Sequence, residues 1–196
     1  MKIIAVERAF DQWPEEARVA LAGDASPSPG CLHASLLTDS AVVRCGTPLF
    51  LPDFAEGWRL EIVPLVVISR LGKWIEPRFA PRYYNEVSLA ARLVPPVGAP
   101  SGAFETNFDG AVAPGRVIAV PADGTFTICL DGKDEISLSA EMLHVDDTVA
   151  LSSRFMMLKT GDMIVPCRTQ LYVAPVVGTR VSATLNGVPV IDLKIR

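Results

Sequence analysis

Two dipeptides constrain this chain more than anything else in it. Asp131-Gly132 stands between Thr125–Leu130 and residues 135–138, and Asn186-Gly187 between Arg180–Leu185 and residues 190–195. Both positions of each dipeptide tolerate positive φ, which a tight turn between twisted antiparallel strands demands. A chain with two such hairpins builds much of itself from antiparallel sheet. Further strand-like runs occupy residues 2–6, 41–43, 49–51 and 60–69, the last closed by Gly72. Pro64 cannot donate to a ladder, so its place inside residues 60–69 predicts an edge, a bulge or a strand end.

Between the hairpins lies the clearest helical pattern. Asp146 or Asp147 is its expected cap, with Val149, Leu151, Phe155 and Met156 as its apolar face. A short helix is expected over residues 80–84, and residues 24–30 (DASPSPG) form a turn-rich loop. The sequence has no internal repeat, low-complexity tail or second-domain boundary. The predicted architecture is a single domain over residues 1–196, mainly β with a few short helices, an α+β roll or sandwich.

Composition excludes several classes. With 49 % apolar and 20 % charged residues the chain is not of disordered type. A net charge of −4 argues against a nucleic-acid partner, which needs a basic stripe. No apolar run reaches the length of a membrane span. Glu7, Arg8 and Asp11 interrupt any signal-like apolar segment, so the expected location is cytoplasmic. Cys31, Cys45, Cys129 and Cys167 are scattered and form no C-x-x-C pair. Cys129 reads as a small core residue, and Cys167, after Pro166 in a loop, as more exposed. His33 and His144 are the only histidines, so a Cys/His metal site would have to join distant segments.

The phrases PLFLPDF, VVISRLGKWI and RFAPRYY, in that order between Thr47 and Pro96, resemble the small single-domain members of the fumarylacetoacetate hydrolase family. The opening MKIIAVERAFDQW and the segments VDDTVALSSRFMMLKTGDMI and TLNGVPVIDLKIR extend the resemblance over nearly the whole chain. It implies the family's mixed β-roll. It also implies a site in which a Glu-x-Glu strand and a later Asp hold Mg²⁺ or Mn²⁺, the metal chelating a 2-oxo acid and stabilising the enolate formed as a C–C bond breaks or a proton moves.

On that resemblance Glu61 fills the first metal slot, Val63 the second and Val97 the third. One carboxylate beside two valines suits a hard divalent cation poorly. Trp13 stands at the slot of the family's general-base His, and an indole cannot abstract a proton at neutral pH. Leu37 and Thr106 stand where the family has lysines, and Arg168 lies in the loop that supplies a substrate-contacting Thr. The lid segment becomes PPVGAPSGAFE, a composition that opposes a helix. Glu61 reads as a lone strand glutamate, facing solvent or paired with an arginine, or as a retained ligand. Trp13 reads as an aromatic filling the vacated pocket. Arg168 reads as a surface residue or as a new cation for a carboxylate. Arg78 and Arg82 read as structural or interface residues, Tyr83 and Tyr84 as aromatic packing, and Asp146-Asp147 as a helix start rather than an acid/base dyad.

The expectation is therefore a family homologue stripped of metal and catalytic residues. It would serve as a structural, regulatory or ligand-binding protein without a cofactor. The alternative is a divergent hydrolase, isomerase or decarboxylase acting on 2-oxo acids of the acylpyruvate type. The resemblance implies a homodimer. The high apolar fraction is consistent with buried intersubunit surface, and a catalytic relative could replace one subunit.

Overall fold

A computed structural model describes residues 1–8, 12, 33–44, 46–96 and 103–196 of the chain. The calls on residues 24–30, Cys31 and Cys45 lie outside the described residues. The strands are β1 (Ile3–Val6), β2 (Ala34–Leu37), β3 (Arg59–Ile68), β4 (Tyr84–Val94), β5 (Val112–Pro114), β6 (Ile118–Ala119), β7 (Thr125–Leu130), β8 (Asp134–Ser139), β9 (Met163–Val165), β10 (Tyr172–Val173), β11 (Arg180–Leu185) and β12 (Val188–Lys194). The helices are α1 (Ala103–Thr106) and α2 (Val145–Phe155).

The larger sheet runs β2-β1-β9-β3-β4-β5, with β10 also on β3 and β6 also on β4. Its axis is the antiparallel pair β3–β4, whereas β1 and β9 are parallel. The smaller sheet is β12-β11-β7-β8. Both expected hairpins are present. Asp131 and Gly132 adopt φ of 48° and 68°, Asn186 and Gly187 of 51° and 75°. Leu185 pairs with Val188, so the second turn has a two-residue loop.

The two sheets bury one main core between them. Leu60, Ile62, Val66 and Ile68 of β3 and Leu89, Ala91 and Leu93 of β4 meet Phe126, Ile128, Val181, Leu185, Ile191 and Leu193 of the smaller sheet. Gly115, following β5, brings the sheets together: a Cβ there would stand 2.4 Å from the Val190 carbonyl oxygen. Arg116 instead donates its backbone N–H to that oxygen at 2.7 Å.

Pro64 finds its place without a bulge. It lies mid-strand, paired with Leu89 of β4, while the other edge of β3 is contacted by β10 at Leu60–Glu61 and by β9 at Val66–Val67. The Ile62 N–H points to that second edge, reaching the Leu171 carbonyl at 3.0 Å. Two residues on, Pro64 faces the gap between β10 and β9, a local edge where no donor is required.

Several expectations need correction. Residues 41–43 and 49–51 are not strands; Val42 and Leu49 make single bridges, to Val112 and Ile195. The short helix is a 3-10 turn at Pro77–Arg82, and Tyr84 already opens β4, an eleven-residue strand that its mixed composition concealed. The residue capping α2 is His144, in the left-handed region at φ 49°, and the two aspartates lie in the first turn. There they complement the helix dipole. Val149 and Leu151 are buried as expected, but Phe155 is exposed, because Ser152 and Ser153 take buried positions in that last stretch. Cys129 sits on the outer, half-buried face of β7, since its neighbours Ile128 and Leu130 turn inward. No helix among the described residues is long and apolar enough to cross a membrane.

Candidate functional site

A strand sends alternate residues to opposite faces. While Leu60 and Ile62 enter the main core, Glu61, Val63 and Leu65 face the other way. On that second face a smaller apolar cluster gathers Ile3, Ala5, Leu37, Val63, Leu65, Ala90, Val112 and Val165. Leu37 and Val63 thus share one apolar cluster, and both are buried. Thr106 ends α1 half-buried. Its neighbour Asn107 fastens the end of β2 by accepting the Thr38 N–H at 3.0 Å. Trp13 and Val97 lie outside the described residues.

Charge enters this face at its end. Glu61 of β3 and Arg92 of β4 stand opposite each other in register, both buried. Each pairs elsewhere. Arg168 Nε donates to Glu61 Oε2 at 2.9 Å, and the Gln170 backbone N–H donates to Oε1 at 2.9 Å. Arg92 Nη2 donates to Glu7 Oε1 at 2.5 Å. Glu61 therefore does not face solvent; it takes the arginine-paired form. Arg168 is not a free surface residue: it is half-buried, with Nη2 donating to the Tyr172 hydroxyl at 2.8 Å.

The segment after β9 is shaped to deliver these groups. Thr169 Oγ1 donates to the Ile62 carbonyl at 2.5 Å and accepts the Leu171 N–H at 3.2 Å. Gln170 adopts φ 64°, an uncommon conformation for a residue with a side chain, and this aims its N–H at Glu61. The Arg168 N–H closes the other side on the Arg8 carbonyl at 2.9 Å.

Electrostatics follow the pairing. Burial alone would raise the Glu7 carboxyl, but the hydrogen bond and charge of Arg92, a hydrogen bond from Ser35 and the charge of Arg168 together hold it below its ordinary value. Burial opposes the charge on Arg168, and Glu61, Tyr172 and Glu7 outweigh that opposition. Cys167 is buried, contrary to expectation. Burial, then the Glu61 charge, pushes its thiol up to about 12, so it is no nucleophile at neutral pH.

These residues do not suit a divalent cation. Both oxygens of Glu61 are engaged, Val63 offers no lone pair, and the adjacent cation is a guanidinium. No group of three His, Cys, Asp or Glu among the described residues is placed to hold a metal ion. Away from this face, Arg78 and Arg82 stack on Phe79 at 4.6 and 4.9 Å from the ring centroid. The Tyr84 hydroxyl donates to Asp146 at 2.8 Å. Tyr84 is thus more than packing: it ties the start of β4 to the first turn of α2. Sequence reasoning missed Glu7, Arg92 and Gln170. The register of Glu61 with residue 92 would have exposed the second pair, had the β4 span been recognised.

No protein-family model matches this sequence, and no curated protein matches it. Solved structures do. Fumarylpyruvate hydrolase from Pseudomonas aeruginosa, in complex with Mn²⁺ and pyruvate, is similar with a TM-score of 0.74 at 18 % identity, over 100 % of this chain and 89 % of its own. A 5-carboxymethyl-2-hydroxymuconate delta-isomerase from Mycobacterium smegmatis gives 0.75 at 18 % identity over 99 % and 78 %. Maleylpyruvate hydrolase from Sphingobium sp. SYK-6 gives 0.72 at 16 % identity over 99 % and 70 %. The chain has the mainly β fold of the fumarylacetoacetate hydrolase family.

Proposed function

We propose that this chain is a non-catalytic homologue of the fumarylacetoacetate hydrolase family, in which arginine–carboxylate pairs occupy the region where the family resemblance places a metal site. One observation carries the reading. Both oxygens of Glu61 are taken, by Arg168 Nε and the Gln170 N–H, while its strand neighbour Val63 is buried in an apolar cluster. Glu61 is thereby unsuited to act as ligand or base, and Cys167 beside it is protonated. The role that remains is structural or regulatory, exercised as a homodimer or beside a catalytic relative.

The competing reading is a divergent hydrolase, isomerase or decarboxylase acting on acylpyruvate-type 2-oxo acids. What favours it is the fold it shares with the named hydrolases and isomerase. Calorimetric titration with Mg²⁺ and Mn²⁺, alongside an acylpyruvate hydrolysis and decarboxylation screen, separates the two. The expected result is no saturable metal heat and no turnover. Micromolar metal affinity abolished by Glu61→Ala, or turnover lost in that variant, overturns the proposal. Light scattering addresses the assembly: a mass near that of one 21.1 kDa chain removes the homodimer.

A further inference from the structure

An open pocket of about 200 Å³ lies between the β1–β2 pair and the last turn of α2. Ile4 and Leu36 pair in register, so their side chains share one face, and with Ala34 they form the strand side of the pocket. Ser152, Phe155 and Met156 form the helix side. The alternate residues Ile3 and Ala5 face the apolar cluster beside Glu61, so the pocket lies on the other side of β1 from the ion pairs. Leu36 and Phe155, both exposed, border its opening.

The lining decides what such a space takes. Among the described residues no charged side chain borders it. Ser35 also borders it but gives its hydroxyl to Glu7. Ser152 is different: it is 2 % exposed, and its hydroxyl has no hydrogen-bond partner among the described residues. That hydroxyl can donate once and accept twice, and leaving it unmade in a buried position is unfavourable. A bound water wants about two to four polar partners, whereas the side chains here offer one free hydroxyl among apolar groups. An apolar body with one polar group suits the space better. In size, a cavity of ~150 Å³ already accepts benzene.

We propose that this pocket binds a neutral compound of one aromatic ring bearing a single hydroxyl or carbonyl group, with that group on the Ser152 hydroxyl. A ring fits better than an alkyl chain because Phe155 offers aromatic contact and Met156 a polarisable sulfur. A carboxylate is excluded from the class, since no cation in the lining would compensate its burial. The site is separate from the Glu61 face and does not depend on whether the chain is catalytic.

The test titrates the full chain with para-fluorophenol, fluorobenzene and para-fluorobenzoate, three probes of one size and different polarity, and follows fluorine NMR line width. The expected result is saturable binding of para-fluorophenol, about fivefold weaker binding of fluorobenzene, and none of para-fluorobenzoate. Ser152→Ala should weaken para-fluorophenol to the level of fluorobenzene and leave fluorobenzene unchanged. Ala34→Trp, a substitution at an exposed lining position, should fill the pocket and abolish binding of both. Absence of saturable para-fluorophenol binding overturns the proposal. So does equal binding of para-fluorophenol and fluorobenzene, or binding that survives in folded Ala34→Trp. Should Ala34→Trp fail to fold, the wild-type series and Ser152→Ala decide the matter.

Discussion

The two faces of β3 are made by one ten-residue strand and do opposite things. Leu60, Ile62, Val66 and Ile68 enter a continuous apolar core against the smaller sheet. Glu61, Val63 and Leu65 face a smaller cluster whose margin is a network of buried ions. The first face is stabilised by burial, which is non-directional and tolerant of sequence. The second depends on specific partners supplied from Glu7 just after β1, from β4 and from the segment after β9. A scaffold can therefore remain recognisable while its site changes chemistry, because a period-2 strand keeps the two tasks on separate residues.

Breaking the second face should produce the largest effect. Arg92→Met strands Glu7 among buried groups and should cost about 3–5 kcal/mol, while Glu7→Leu/Arg92→Met should recover most of it. Urea denaturation of both single variants and the pair measures the coupling. Additive losses would show that the two side chains do not act as a pair.

On the first face, Ile62→Ala removes a wholly buried side chain and should cost about 2–5 kcal/mol. No partner substitution should rescue it. The comparison rests on that contrast between a loss a second mutation repairs and one it does not. Rescue of Ile62→Ala by a single polar change elsewhere would blur it.

A third substitution asks whether the second face can be given metal affinity. Val63→Glu places a carboxylate two residues from Glu61 on the same face, inside an apolar cluster, and should destabilise by about 1–3 kcal/mol. Measurable Mg²⁺ or Mn²⁺ affinity should appear only when Arg168→Ala is added, because Arg168 holds Glu61. Calorimetry on the single and double variants checks this. Metal binding by Val63→Glu alone would mean that the guanidinium is easily displaced.

What was legible in the sequence divides along the same line. The hairpins were readable because Asp131-Gly132 and Asn186-Gly187 encode their geometry locally. Leu37 and Val63 share one apolar cluster, as apolar residues on a covered strand face do. An arginine partner for Glu61 was one of the open readings, but which arginine it is, and the Glu7–Arg92 pair, were not readable. Glu7 and Arg92 are 85 residues apart, and Glu61 and Arg168 are 107 apart. Their meeting depends on strand order, which no local pattern states. The burial of Cys167 was missed for the same reason, since the main core it joins is assembled from segments distant along the chain.

The smallest effect contrasts two carboxyls in opposite environments. Glu7 is held below its ordinary value, since Arg92, Ser35 and Arg168 together outweigh the opposing effect of burial. Asp146 is raised, by burial first; the Tyr84 hydrogen bond opposes that rise and the Asp147 charge adds to it. For Glu7 the unfolded chain binds more protons between the two values. Its contribution is thus fully present above the ordinary carboxylate range and is lost as pH falls through the depressed folded value. For Asp146 the folded chain binds more protons, so stability falls as pH rises from the ordinary value through the raised one. Glu7→Gln should therefore flatten the acid-side loss of stability, and Asp146→Asn should remove an opposing slope. Denaturation midpoints for wild type and both variants, taken across about pH 3–6, report the two signs directly. Slopes of the same sign would mean that Asp146 is paired as firmly as Glu7, and the distinction between the ion network and the helix start would fail.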